Sequence, residues 1–182
     1  MKKNTNDIWL FAYGSLLWNP NFKFIEAKPA LLRGYHRSLC IYSFRYRGTP
    51  NKPGLVMGLD HGGACRGIAY RVAEKQAKSV LQEVDKREMT YRVYIRKKLS
   101  LKLYDVRKLS HSVLGFTYIV NRNGSQYASK LGVEDTLRLI RQGHGSMGSS
   151  LDYLEKTISH LDSIGLPDRK LELLLSRLKS EG

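Results

Sequence analysis

A glutamate stands at residue 88 where the surrounding pattern asks for an apolar side chain. Ala77, Leu81, Val84 and Glu88 recur at i, i+4, i+7 and i+11, one face of an α-helix predicted over 73–89. A carboxylate carried on such a face into a cleft loses water, its pKa rises, and it becomes a proton carrier near neutral pH. Lys86 and Arg87 supply a plainer account, a charged helix end that is paired or solvated. The spacing leaves both open.

A second feature is Phe11-Ala12-Tyr13-Gly14-Ser15-Leu16-Leu17-Trp18, an apolar strand running into a glycine turn. Glycine lets backbone approach a ligand closely, and successive turn N–H groups can hold an anion. An ordinary tight turn beside a core strand fits the same residues. Gly145-Ser146-Met147-Gly148-Ser149-Ser150 leads into a helix at Leu151, another place where N–H groups can meet an anion. It lacks the G-K-[ST] of a P-loop, and Ser149 and Ser150 suit an N-cap loop.

Other chemistries find little support. His36, His61, His111, His144 and His160 are scattered, and His61 with Cys65 has ligand spacing but no second pair, so no metal is expected. Ser15 sits in no G-x-S-x-G nucleophile elbow. Basic residues cluster over 86–108, interleaved with Tyr91, Tyr94 and Tyr104, a composition able to stack and neutralise single-stranded nucleic acid. Alternation, however, places many of these lysines on one solvated strand face.

The elements that must position these residues read as strands first and helices late. Residues 8–13 form an apolar run, a strand buried on both faces. Prolines and glycines over 50–63 read as turns about a short strand at Leu55-Val56-Met57, with a further strand over 65–72. After the 73–89 helix, period two returns from 91 to 120: Leu99, Leu101 and Leu103 alternate with Ser100 and Lys102, and 113–120 forms a second apolar strand. Helices follow over about 133–142, 151–164 and 168–179, with Gly165 closing the second and Pro167 opening the third. Strands this short and closely spaced exclude repeated βαβ units. They predict an α+β fold with a largely antiparallel or mixed sheet curling into a barrel.

Composition bounds the answer. A chain of 182 residues corresponds to one domain, and 42% apolar with 26% charged residues excludes disorder and coiled coil. Cys40 and Cys65 make no disulfide framework and suit a reducing cytoplasm. Residues 8–18 fall short of the roughly 20 needed to span a membrane. They carry Trp9, Gly14, Ser15 and Trp18 and no small-x-small cleavage site, so the sequence predicts a soluble, unexported protein without a membrane partner. Lys and Arg number 31 against 16 Asp and Glu, and the net +15 calls for an anionic partner: nucleic acid, phospholipid or a small acidic substrate.

Together these features resemble the ChaC family of glutathione-specific γ-glutamylcyclotransferases. The resemblance begins at residues 11–18 and continues through Gly34-Tyr35-His36-Arg37, Arg47-Gly48-Thr49-Pro50 with Pro53-Gly54, and Gly67-Ile68-Ala69-Tyr70-Arg71. It goes on through Lys86-Arg87-Glu88-Met89, then Gly145-x-x-Gly148 with Tyr153-Leu154, in family order from about residue 8 to 178. Three departures stand out: Ala12 for the usual glycine before Tyr13, Ser150 for the usual Asn, and Tyr91-Arg92-Val93 for a more glycine-rich stretch.

The resemblance implies one ChaC-like domain over 1–182, a mixed β-barrel with flanking helices. It further implies a cytoplasmic lyase without a cofactor that releases 5-oxoproline and Cys-Gly from glutathione. Glu88 takes the place of the catalytic glutamate. Ala12, Tyr13, Gly14, Ser15, Leu16 and Leu17 take the substrate-binding turn, and Arg47 and Tyr153 are further candidates for lining the pocket. The same reaction on other γ-glutamyl amino acids or amines is the nearest alternative. A nucleic-acid-binding module built on 86–108 is the alternative from another class, and the solvated-face reading argues against it.

Overall fold

A computed structural model describes residues 6–104 and 110–180. Met1-Lys2-Lys3 and residues 105–108 of the basic stretch lie outside the described residues. The chain divides into two compact units, Met1–Arg37 with Leu59–Asn121, and Ser38–Gly58 with Arg122–Gly182.

The strands are β1 (Ile8–Ala12), β2 (Glu26–Ser43) and β3 (Gly54–Val72), then, after helix α1 (Glu74–Glu88), β4 (Tyr94–Tyr104) and β5 (Ser110–Val120). They close into a barrel in the order β1-β3-β2-β4-β5. β1 runs antiparallel to β3, from Ile8 opposite Val72 to Ala12 opposite Ile68, and parallel to β5. β4 and β5 pair antiparallel from Tyr94–Val120 to Tyr104–Ser110. The expected mixed barrel in an α+β fold is therefore what forms. Alternation explains the β4 placement: Leu101 and Leu103 are buried while Ser100 is exposed. Leu10 and Phe11 of β1 are fully buried, as the unbroken apolar run requires.

β5 begins at Ser110, three residues before the expected 113, and three further stretches differ from expectation. Residues 26–43 form a strand that the sequence hides, because Pro29 and Gly34 interrupt any period-two signal. Residues 50–63 do not split into turns around a short strand; one strand runs from Gly54 to Val72. Gly62 and Gly63, at φ +97 and +69, take backbone that other residues rarely adopt, and the strand continues through them. β4 starts at Tyr94, not 91, because residues 90–92 form a short turn with Tyr91 and Arg92 in left-handed backbone.

Helix α1 falls where the 73–89 spacing puts it. Val80 and Val84 are its buried residues, and the Asp7 carboxylate accepts the Glu74 N–H at 3.0 Å, serving as a cap from outside the helix.

In the second unit, α2 (Val133–Gln142) precedes the two-residue strands β6 (His144–Gly145) and β7 (Gly148–Ser149). Helices α3 (Ser150–Ser163) and α4 (Arg169–Ser180) follow, each within a residue of expectation. Leu137, Ile140, Leu154, Leu161, Leu171 and Leu178 are buried there. Ser149 is the N-cap of α3, its hydroxyl accepting the Asp152 N–H at 3.0 Å. Gly165 at φ +70 closes α3, where Leu166 N–H reaches the Leu161 carbonyl at 2.8 Å. Among the described residues, no helix is long and apolar enough to cross a membrane.

Candidate active site

Glu88 is the last residue of α1, and its side chain is only 14% exposed. Burial pushes its carboxyl above the usual carboxylate range, and the adjacent Arg87 pulls it part of the way back. The pairing of the bland account is present, and so is the burial that the functional account requires. The carboxylate is paired, Arg87 Nε lying 3.2 Å from Glu88 Oε1, and it is also desolvated.

The turn after β1 lies in the same unit, joined to Glu88 through Arg87. Arg87 Nη2 donates to Ser15 Oγ at 2.7 Å and Nη1 donates to the Asn19 carbonyl at 2.8 Å. Residues 15–17 form one 3₁₀ turn after Gly14. Its own bonds run from Leu17 N–H to the Gly14 carbonyl at 2.8 Å and from Asn19 N–H to the Ser15 carbonyl at 3.0 Å. These bonds use the later donors and do not engage the N–H groups of Ser15 and Leu16, at the head of the turn.

Each end of the turn is pinned. Arg37 Nε donates to the Tyr13 carbonyl at 2.7 Å, and the Tyr70 hydroxyl donates to the Leu17 carbonyl at 3.1 Å. Burial raises the Tyr70 pKa, keeping that hydroxyl a donor. Tyr13 is itself buried, its hydroxyl donating to the Tyr118 carbonyl at 2.8 Å. Ala12, Leu16 and Leu17 turn their side chains into the core, so within 12–17 the groups suited to a ligand are backbone N–H groups and the Ser15 hydroxyl. The extra methyl of Ala12 is fully buried.

One helical turn before Glu88, Asp85 accepts the Tyr118 hydroxyl at 2.7 Å and pairs with Arg96. Tyr118 is 1% exposed, and burial, reinforced by Asp85, drives its pKa up, so the phenol stays a donor. This network ties α1 to β4 and β5 just ahead of Glu88. The sequence analysis gave no role to Arg37, Tyr70, Asp85, Arg96 or Tyr118. Only the i, i+3 spacing of Asp85 to Glu88 carried a local signal, since the other contacts join residues remote in sequence.

Arg47 and Tyr153 lie together in the second unit. Arg47 Nη1 donates to Asp152 Oδ2 at 2.9 Å and to the Ser149 carbonyl at 3.2 Å, and the guanidinium lies 5.4 Å from the Tyr153 ring centroid. The Tyr153 hydroxyl accepts the Met57 N–H at 3.2 Å. Ser150 keeps full polar contacts despite being shorter than Asn: its Oγ accepts the Leu55 N–H at 2.9 Å and donates to the Arg47 carbonyl at 3.0 Å.

In the described part of the basic stretch, Arg96 pairs with Asp85, while Arg96 and Lys98 cover Phe116 and Lys102 covers Tyr104. These rings meet their own cations. Among the described residues no group of His, Cys, Asp and Glu is placed to hold a metal ion. What the first unit does assemble is a desolvated carboxylate linked through Arg87 to a turn whose own bonds leave the Ser15 and Leu16 N–H groups unused. That set suits proton transfer next to a developing oxyanion.

Three comparisons bear on this arrangement. The ChaC-like protein family matches residues 8–181. The chain is 33% identical to the glutathione-specific γ-glutamylcyclotransferase of Escherichia coli over 94% of this chain and 73% of the relative. It is 28% identical to γ-glutamylcyclotransferase 2-3 of Arabidopsis thaliana over 94% of this chain and 88% of the relative. A solved structure of a yeast γ-glutamylcyclotransferase specific to glutathione superposes with a TM-score of 0.85, 20% identical, covering 97% of each chain.

Proposed function

The chain belongs to the ChaC-like family, and from that premise we propose that it is a γ-glutamylcyclotransferase that converts glutathione to 5-oxoproline and Cys-Gly. The observation that carries the assignment is the desolvated Glu88 carboxylate linked through Arg87 to the Ser15 turn. The family match, running from residue 8 to 181, supports one ChaC-like domain over 1–182. Two free, buried cysteines suit a cytoplasmic setting.

In a γ-glutamyl group the α-amine is the nucleophile and the γ-carbonyl the target, within one molecule. The protein must therefore select the folded conformer and move protons. An α-amine titrates near about 8, so at neutral pH it must lose a proton before it attacks. Glu88 takes that proton. Nitrogen closes the five-membered ring on the γ-carbonyl, and charge develops on its oxygen. Collapse breaks the C–N bond, and Glu88 gives its proton to the departing Cys-Gly nitrogen. The second proton, which the ring nitrogen sheds as it becomes the lactam N–H, passes to the released amine or to water, so Glu88 ends ionised as it began. The N–H groups of Ser15 and Leu16, with the Ser15 hydroxyl, hold the oxyanion or the free α-carboxylate. For Arg47 and Tyr153 a substrate contact rests on the resemblance alone.

Purified protein incubated with glutathione is expected to yield 5-oxoproline and Cys-Gly in equal amounts. Ring product from γ-glutamyl amino acids or amines, with none from glutathione, would overturn the substrate while keeping the reaction. Glutathione is a net anion and the chain carries +15, so kcat/KM is expected to fall as ionic strength rises. A flat salt profile would remove the field from the account of capture.

The pH dependence follows from Glu88. Its raised pKa means the carboxylate, the form able to accept the amine proton, is lost on acidification earlier than for an exposed glutamate. The acidic limb of kcat/KM is therefore expected above the usual carboxylate range. A limb at the position of an exposed glutamate would contradict the desolvated environment.

A further inference from the structure

Arg87 occupies a position that the reaction as written does not use. Its Nε faces the Glu88 carboxylate at 3.2 Å, Nη2 donates to Ser15 Oγ at 2.7 Å, and Nη1 donates to the Asn19 carbonyl at 2.8 Å. One planar group thus spans the end of α1 and both ends of the turn that follows β1. A lysine could carry the charge but not this fork.

The direction of the Ser15 bond matters most. A hydroxyl has one hydrogen and two lone pairs, and an arginine nitrogen can only donate. Since Arg87 fills a lone pair of Ser15 Oγ, the Ser15 hydrogen points elsewhere, available to an acceptor. A charge-assisted bond into the oxygen also polarises the O–H, making it a stronger donor. The half-buried Ser15 sits at the head of a turn whose first two N–H groups are likewise not engaged by the turn's own bonds.

We propose that Arg87 is a positioning residue that aims the Ser15 hydroxyl hydrogen at an anionic oxygen of the substrate while holding the turn against Glu88. The inference rests on the reading of this turn as substrate-binding. Arg87 acts through Ser15 on binding and through its charge on Glu88. The charged groups within three residues of Glu88 on α1 are Asp85, Lys86 and Arg87. Lys86 is exposed, and Asp85 is already neutralised by Arg96 of β4 and by the Tyr118 hydroxyl of β5. Arg87 is thus the cation paired with Glu88, and it opposes the larger effect of burial on that carboxyl.

Two measurements test this, one without substrate. In a carboxyl ¹³C NMR titration of the free protein, Arg87→Met is expected to move the Glu88 midpoint to higher pH, and Arg87→Lys to leave it near wild type. Superimposable wild-type and Arg87→Met titrations would overturn the proposal whatever the substrate proves to be. In kinetics with glutathione, Ser15→Ala and Arg87→Lys are each expected to raise KM about tenfold, the loss of one charge-assisted hydrogen bond. The double variant is expected to be no worse than either single one, because both remove the same donor. Multiplied penalties would mean that Arg87 does not act through Ser15. If the wild type does not turn over glutathione, the substrate assignment fails and the titration alone decides the Arg87 role. Arg87→Lys and Ser15→Ala keep the test available if Arg87→Met does not fold.

Discussion

Glu88→Gln is expected to lower kcat for glutathione by about 10²–10⁴-fold while changing KM little, the loss typical of a positioned general acid–base. Glutamine is nearly isosteric and can still accept a hydrogen bond, but it cannot take the amine proton or return it to the leaving nitrogen. The separation of kcat from KM is the decisive part. Proton transfer contributes in the transition state, so a residue that mainly held substrate would move KM instead.

Stability provides the control. The folded pKa of Glu88 lies above its unfolded value, so the folded state binds the proton more tightly. Its contribution to stability is fully present below the unfolded pKa and is lost as pH rises through the folded pKa. At neutral pH the buried carboxylate therefore costs stability. The neutral glutamine removes that cost, set against the loss of the Arg87 pair. The variant is expected to melt no lower than wild type at neutral pH. A variant that is inactive and melts much lower would point to misfolding rather than to lost proton transfer. Full activity in Glu88→Gln would sink the assigned role.

What the sequence made legible was periodicity. Ala77, Leu81, Val84 and Glu88 announced α1 and its odd carboxylate, although of these only Val84 lies in the buried apolar core, where Val80 joins it. Leu101 with Leu103 announced β4, because a buried face imposes its own repeat. Glu26–Ser43 stayed hidden for the opposite reason: Pro29 and Gly34 erase the repeat while barrel pairing still holds the strand. The site divided in the same way. Glu88 and residues 12–17 were visible as a residue out of place and a glycine turn. The groups that fix them, the Arg37 and Tyr70 side chains and the Tyr118 carbonyl, act across 24, 53 and 105 residues of chain respectively. No local pattern records a contact at that distance.

Gly67 joins fold and site, and Gly67→Ala is the second large effect expected. Gly67 lies in β3 beside the end of β1, in a segment matched to the family as Gly67-Ile68-Ala69-Tyr70-Arg71. A Cβ built at 67 falls well inside contact distance of the Ala12 carbonyl oxygen and 2.8 Å from Phe11 Cζ. Phe11 is fully buried, and a backbone carbonyl in a paired strand cannot swing aside as a lysine tip can. The methyl must therefore push the end of β1 away from β3, at a cost of about 3 kcal/mol, the upper part of the usual range for overpacking. For a chain of this size that corresponds to a drop in Tm of about 6–12 °C. Ala12 directly precedes the turn whose Tyr13 carbonyl is held by Arg37, so the same displacement reaches the donors proposed to bind substrate. Activity measured below the melting transition is expected to show a raised KM as well. A Tm within about 2 °C of wild type, the shift of less than 1 kcal/mol in a domain of this size, would mean that β1 and β3 do not approach so closely at this point.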